Sequence, residues 1–505
     1  MPILSFKNNI DSLIAALSGA LFIFLLTSYH GVGISPDSVS YAGVARNIPL
    51  GKWLVEFNGC PLIIFPAGYP VFLGIITKFA GTDVVVFAPF VNALLFGVAI
   101  FVNGCLLQNI APKNKWYKWA VLSLLPISYA MLDIYTMLWS ETLFVMLVSF
   151  FMVAIRGYLV SRSLPALLLA ALVTALACDT RLAGISVLAT GLFFILLQRD
   201  FYWLKKIIHL TIYLVASASL LATNLIRNQL LNGTMTGIRQ KSITPLIVNI
   251  RFYGETLLQW LQLTGTNKTI AVFAGILLVT SAALIIAYRY FNDKQFASFE
   301  NINLGFCFIY ICFIVLTASI SKYEQLNNRL LSPAYLPMVV GISSLILLGL
   351  SKLQKGIWRN VAIACIALCY LLFQGHQLLF ALEFHSTIKE NGIPGYTEVG
   401  NQESDIVQFL EKKQPYFNQD TAIYSNVCDA VYFYGGLPAI TLPEKAHIID
   451  IQEYYLEDPN YIVWFTNEFD NKAIIRLAEI SQHRQLDTLG VFKDGLILLS
   501  KPKVK

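Results

Sequence analysis

The sequence is short of charge. Only 13% of its 505 residues are Asp, Glu, Lys or Arg, and 56% are hydrophobic; a soluble domain carries roughly 25% charged residues. Half the usual solvating charge is missing, which excludes a soluble globular chain once apolar runs near 20 residues recur along its length. Metal-type spacing is also lacking. Six of the eight cysteines (Cys105, Cys178, Cys307, Cys312, Cys365, Cys369) fall in apolar runs, where thiols act as small hydrophobes. Cys60 and Cys428 lie in loops, with a disulfide between them an unsupported option. His30 and His376 have no zinc spacing and read as interfacial histidines. No cleavage pattern of small residues follows the first apolar run, so it reads as a retained signal-anchor. The net charge of +6 calls for no nucleic acid, since in membrane chains such an excess marks cytoplasmic loops.

What is present is a series of spans. They fall near 10–29, 84–107, 116–132, 137–158, 164–180, 182–198, 205–226, 269–288, 302–320, 332–350 and 360–381. The stretch PAGYPVFLGIITKFA at 66–80 is short, and at this length an interfacial or re-entrant helix fits as well as a crossing. Basic residues cluster at Lys113–Lys118, Arg156–Arg162, Arg199–Lys206, Arg289–Lys294 and Lys352–Arg359. Placing all five clusters in the cytoplasm works only if 66–80 does not cross. This gives about 11 transmembrane helices, with the amino terminus inside and the carboxyl tail outside.

The other loops then share the outer face. The first, 30–83, contains a polar stretch of about forty residues with Asp37, Tyr41, Arg46 and Tyr69, too long for a plain connector. Asp133, Glu141, Arg181, Arg239, Lys241 and Arg329 fall on the same side. Ionisable groups at the margins of spans are costly unless they pair or work, and here they gather where a catalytic cavity would open. Each has a plainer reading. Asp37 follows Pro36 and can cap the helix SVSYAGVARNI, as Asp or Ser commonly does. Glu141 suits the positive end of a helix dipole. Arg181 and Arg329 can snorkel, although arginine is also the residue best shaped for a phosphate. The loop 227–268, with Arg239 and Lys241, can close over a substrate or simply pack as a surface loop.

From about residue 385 the composition changes. Short β-like runs at 421–426 and 461–466, helices over 402–417 and 470–480, and a hairpin turning at Lys493-Asp494-Gly495 suggest a small α/β domain. Residues 1–383 are thus expected to form the transmembrane domain and 384–505 an extracytoplasmic domain. No nucleotide-binding glycine motif appears in the latter, which reads as a lid or docking module.

The order PDSVSYAGVARNI (36–48), FPAGYPVFLGI (65–75), WSETLF (139–144), TRLAGI (180–185) and RLLSPAYLP (329–337) resembles the GT-C fold membrane glycosyltransferases, in the branch of protein O-mannosyltransferases, aminoarabinose transferases and RgtA-like transferases. The resemblance implies an enzyme of the envelope, in a bacterial inner membrane, working outside the cytoplasm. It would move a hexosyl or pentosyl group from a polyprenyl-phosphate carrier to a hydroxyl of a lipid, polysaccharide or protein. Asp37 would be the first-loop acid, as base or as ligand of a divalent metal ion. Glu141 and Asp133 would join it as catalytic carboxylates. Arg181, Arg329, Lys241 and Arg239 would meet the carrier phosphate, and Tyr41 and Tyr69 the sugar. Relatives often carry a second acid directly after the first, where Ser38 stands here. The acid and lysine of the aminoarabinose branch are replaced around Ile64–Ala67, which argues against that substrate. The rival classes are a transporter or flippase, for which no repeated halves are found, and a non-catalytic assembly factor.

Overall fold

The structure is a computed structural model that describes residues 9–199, 202–237, 239–263, 265, 267–292, 296–412, 416–418, 420–466 and 473–503. Lys294 and the start of the expected 470–480 helix lie outside the described residues. The chain begins with α1 (Ile10–Ser28), and the first polar loop holds α2 (Pro36–Asn47) and α3 (Gly68–Ala80). Next come α4 (Val84–Ile110), α5 (Lys115–Leu124), α6 (Tyr129–Tyr135), α7 (Ser140–Ser161), α8 (Leu164–Thr180), α9 (Ile185–Leu196) and α10 (Trp203–Asn232). They are followed by α11 (Leu246–Trp260), α12 (Lys268–Asn292), α13 (Phe299–Ile320), α14 (Asn328–Leu331), α15 (Tyr335–Lys352) and α16 (Ile357–Asn391).

Among the described residues, eight helical segments are long and apolar enough to cross a membrane, counting Asn328–Lys352 as one. Gly68–Ala80, Leu164–Thr180 and Leu182–Leu196 are apolar but shorter. The chain is a mainly α integral membrane protein with a small carboxyl-terminal sheet. The expected span 116–132 is interrupted. Helix α5 stops at Leu124, a 3₁₀ turn covers Leu125–Ile127, and Ser128 is extended before α6 begins. Pro126 sits in that turn, and a proline supplies no N–H to carry a helix onward.

The chain divides into two compact units. The first comprises Met1–Ser28, Ile63–Tyr69 and Phe87–Thr387. Here α8 packs against both α7 and α10, α11 against α12, and α13 against α9 and α15. Basic residues collect at one end of these helices. Arg156, late in α7, lies over the Phe299 ring at the start of α13, and Arg289 at the end of α12 donates to Asn301 Oδ1 at 2.6 Å. Lys118 is buried and contacts Asp11 at 2.6 Å, joining the starts of α5 and α1.

The second unit comprises Tyr29–Leu62, Pro70–Val86 and Ile388–Lys505. The carboxyl-terminal residues therefore share a unit with most of the first polar loop. The last long helix also runs unbroken past 383, to Asn391. Beyond it lie α17 (Val399–Gln402), α18 (Asp405–Lys412), β1 (Ile423–Ser425), α19 (Cys428–Gly435), β2 (Ile440–Thr441), α20 (Ile448–Leu456), β3 (Asn460–Phe465), α21 (Leu477–His483), β4 (Arg484–Phe492) and β5 (Gly495–Pro502). The sheet order is β2-β1-β3-β5-β4. Strand β1 is parallel to β2 and β3, while β5 is antiparallel to β3 and β4. The hairpin turns at Lys493-Asp494 as its sequence predicts. Buried Arg484 fastens the sheet, donating to Ser500 Oγ and to the carbonyls of Tyr454 and Glu457.

Candidate functional site: a carboxylate holding two guanidiniums

At the end of α7 opposite Arg156, the motifs WSETLF, TRLAGI and RLLSPAYLP meet. Glu141 stands in the first turn of α7 and is fully buried. Its Oε1 lies 2.6 Å from Arg181 Nη1 and 2.7 Å from Arg329 Nε. A carboxylate there is favoured by the helix's N-terminal partial charge, but its burial is tolerable only because it is paired. Each helix break supplies one arginine. Arg181 is the extended residue after α8, and Arg329 lies in the single turn α14, whose cap Asn327 accepts from Leu330 N–H. Arg181 also donates to Ser140 Oγ at 2.9 Å, and Arg329 lies over the Trp139 ring at 4.4 Å, a cation–π contact. Both arginine side chains remain 14% exposed. The plain snorkelling reading of these arginines is therefore replaced by a specific cluster.

Asp133 joins through Asn328, whose amide donates to Asp133 Oδ2 at 2.7 Å while its own oxygen accepts from Trp260 Nε1 at 2.7 Å. Gly68 of the FPAGYP turn packs on the end of α8: a Cβ there would lie 2.6 Å from the Asp179 carbonyl oxygen. Only a residue without a side chain lets that turn approach the segment leading to Arg181. Arg239 and Lys241 are exposed on a segment paired with 320–322. Arg239 bonds Thr236 within its own loop, and Lys241 bridges Ser321 through the backbone.

In the second unit, Asp37 occupies the first turn of α2 and is half-buried. The cap is Ser35, whose backbone N–H donates to Ser38 Oγ at 3.1 Å, so the capping role considered for Asp37 belongs to its neighbour. Tyr41 is buried in this unit, and Tyr69 is fully buried in the first. Arg46 forms a two-pronged contact with Asp83 at 2.6 and 3.1 Å. Burial alone would push Asp83 up, but the Arg46 guanidinium outweighs it and holds the carboxyl below the usual range.

Two acids missed in the sequence stand in the same unit. Burial pushes the Glu56 carboxyl up to about 7, with only the Ser40 hydroxyl at 3.3 Å opposing. Asp429, in the first turn of α19, is likewise pushed up, chiefly by burial and further by the charge of Asp37. Neither lies in a motif, and loop glutamates are too common to single out. Among the described residues, no three or more His, Cys, Asp or Glu side chains assemble as a metal site. All eight cysteines are free, and Cys428 contacts Thr441. Among the described residues, the donor set around Asp37 does not make a closed cation site.

No protein-family profile matches the chain, nor does any curated sequence relative. Solved structures do. The chain is similar to ArnT from Cupriavidus metallidurans bound to undecaprenyl phosphate, with TM-score 0.59 and 11% identity over 96% of this chain and 97% of that one. It is similar to the archaeal oligosaccharyltransferase AglB from Archaeoglobus fulgidus, in complex with an inhibitory peptide and a dolichol-phosphate, at TM-score 0.56 and 10% identity, covering 91% of this chain and 70% of that one. The mycobacterial arabinofuranosyltransferase AftD matches at TM-score 0.50 and 14% identity, over 97% of this chain and 40% of that one. The chain has the GT-C fold that the order of the motifs implies, with eight long apolar helices among the described residues where the sequence predicts about 11 crossings.

Proposed function

We propose that the protein is a glycosyltransferase that moves a hexosyl or pentosyl group from a polyprenyl-phosphate carrier to an acceptor hydroxyl. The observation that carries this reading is the Glu141 cluster: two arginines held by one buried carboxylate at one end of an apolar bundle. Guanidiniums match phosphate oxygens in shape and charge, and a partner acid fixes their direction before substrate arrives. Two proteins of the same fold, ArnT and AglB, hold a lipid phosphate in their structures, which supports a carrier of that kind here.

In the reaction, the acceptor oxygen attacks the anomeric carbon as the bond from that carbon to the carrier phosphate breaks, with inversion. The electron pair leaves on the phosphate, where Arg181 and Arg329 stabilise the growing charge. Asp37 takes the acceptor proton. Asp133, through Asn328, orients the segment that carries Arg329. Arg239 and Lys241 lie on a loop suited to closing over the carrier. We place the enzyme in a bacterial inner membrane, with Asp37 and the carboxyl-terminal residues outside the cytoplasm. The acceptor is a lipid, polysaccharide or protein of the envelope.

Purified protein incubated with a panel of polyprenyl-phosphate sugars tests this directly. Release of polyprenyl phosphate with any of them supports the reading. Silence with all of them, alongside movement of an intact lipid-linked sugar across a proteoliposome, would favour a flippase.

A further inference from the structure

The second unit is held together by a strap. Gly395, at φ +114°, lies so close to the Ile34 carbonyl that a Cβ would overlap it. The next residue, Tyr396, donates its N–H to Ile34 O at 2.8 Å, and Thr397 Oγ1 donates to Val32 O at 3.0 Å. These contacts fasten the backbone immediately before Ser35-Pro36-Asp37. Helix α19 also packs on α2. The Tyr432 ring lies 5.0 Å from that of Phe57, and the Arg46 guanidinium stands 5.7 Å above Tyr432. Strap and helix are joined to each other as well. Tyr434 OH donates to the Tyr396 carbonyl at 2.8 Å, and Tyr396 OH donates to Asp429 Oδ2 at 2.5 Å.

We propose that Asp429, gripped by the Tyr396 hydroxyl, is a positioning residue for Asp37. The inference rests on the reading of Asp37 as the acceptor's base. It gives the carboxyl-terminal residues a share in the chemistry beyond that of a lid. Each acid sits in the first turn of its helix, and α19 and α2 are in contact. The two acids are near enough that the charge of Asp37 is felt at Asp429. A second acidic group fixed near a carboxylate limits where the first can turn, because like charges repel. The Tyr396 bond stops Asp429 from moving away to relieve that constraint. The fixed position of Asp429 thereby constrains the Asp37 side chain.

The test compares Asp429→Asn, Asp429→Glu, Tyr396→Phe, Asp37→Asn and the double variant Asp37→Asn/Asp429→Asn in full-length protein, with kcat, KM for the lipid donor and detergent melting temperature measured for each. We expect Asp429→Asn to lower kcat on the order of 10- to 100-fold, with donor KM and melting temperature unchanged. Tyr396→Phe should lower kcat less, and Asp429→Glu should recover part of the loss. Adding Asp429→Asn to Asp37→Asn should cost nothing further, since a residue acting through another has no effect once that one is gone. A wild-type kcat in Asp429→Asn, or losses that multiply in the double variant, would overturn the inference while leaving the glycosyltransferase reading in place. A wild-type kcat in Asp37→Asn, or no transfer by the unmodified protein, would overturn the base assignment and this inference with it.

Discussion

Arg329 Nε lies 2.7 Å from Glu141 Oε1, although 188 residues separate the two in the chain. Arg181 reaches the same oxygen at 2.6 Å. A buried carboxylate thus fixes two guanidiniums delivered by two different helix breaks. The arrangement has consequences for stability and for binding that can be measured separately.

For stability, Glu141→Gln leaves two guanidiniums without their buried counter-charge. Breaking a buried pair by removing one partner costs about 3–5 kcal/mol. A clearly lower melting temperature in detergent is expected, and an unchanged one would show that the arginines are solvated without Glu141. Arg46→Ala is the contrast. The Arg46 and Asp83 side chains are 30% and 38% exposed, so their ion pair accounts for about 1 kcal/mol or less, and with the lost contact over Tyr432 the fall is expected to stay smaller than in Glu141→Gln.

For binding, Arg329→Lys keeps the charge but loses the planar fork and the stacking on Trp139. Lysine does not replace arginine at a stacked site with several donors. Donor KM is expected to rise about tenfold, with the melting temperature falling less than in Glu141→Gln. An unchanged KM would reduce Arg329 to a structural role.

Glu56 supplies a pH dependence of stability. Its folded pKa of about 7 exceeds the ordinary 4.5, so below 4.5 both states hold the proton and Glu56 contributes nothing. Between 4.5 and 7 the unfolded chain releases the proton while the folded one keeps it, and stability falls as pH rises. Above 7 the loss is complete, at about 3 kcal/mol at most. Glu56→Gln should therefore flatten the melting-temperature profile across this window and raise its alkaline end. A variant as pH-sensitive as the parent would place the titration elsewhere.

The parts legible in the sequence are those governed by local pattern. Apolar length marks the long helices, and Lys493-Asp494-Gly495 marks the final hairpin. The charged motifs WSETLF, TRLAGI and RLLSPAYLP, each at a span margin, anticipate the meeting of Glu141, Arg181 and Arg329. Pairings between distant segments leave no local trace. Nothing around Gly395 announces that it zips to Ile34, and nothing around Asp429 points to Asp37, so a division at 383/384 looks natural when read along the chain. The break at Pro126 was written in the residue itself, but the apolar run continuing to Leu132 concealed it.

The measurement that bears most directly on the central claim is the affinity of the purified protein for polyprenyl phosphate, read by native mass spectrometry for the parent and for Arg181→Gln and Arg329→Gln. If the Glu141-held pair receives the carrier's phosphate, the parent retains the lipid and each variant weakens its binding about tenfold or more. Equal retention by all three proteins, in variants that melt as the parent does, would contradict the account.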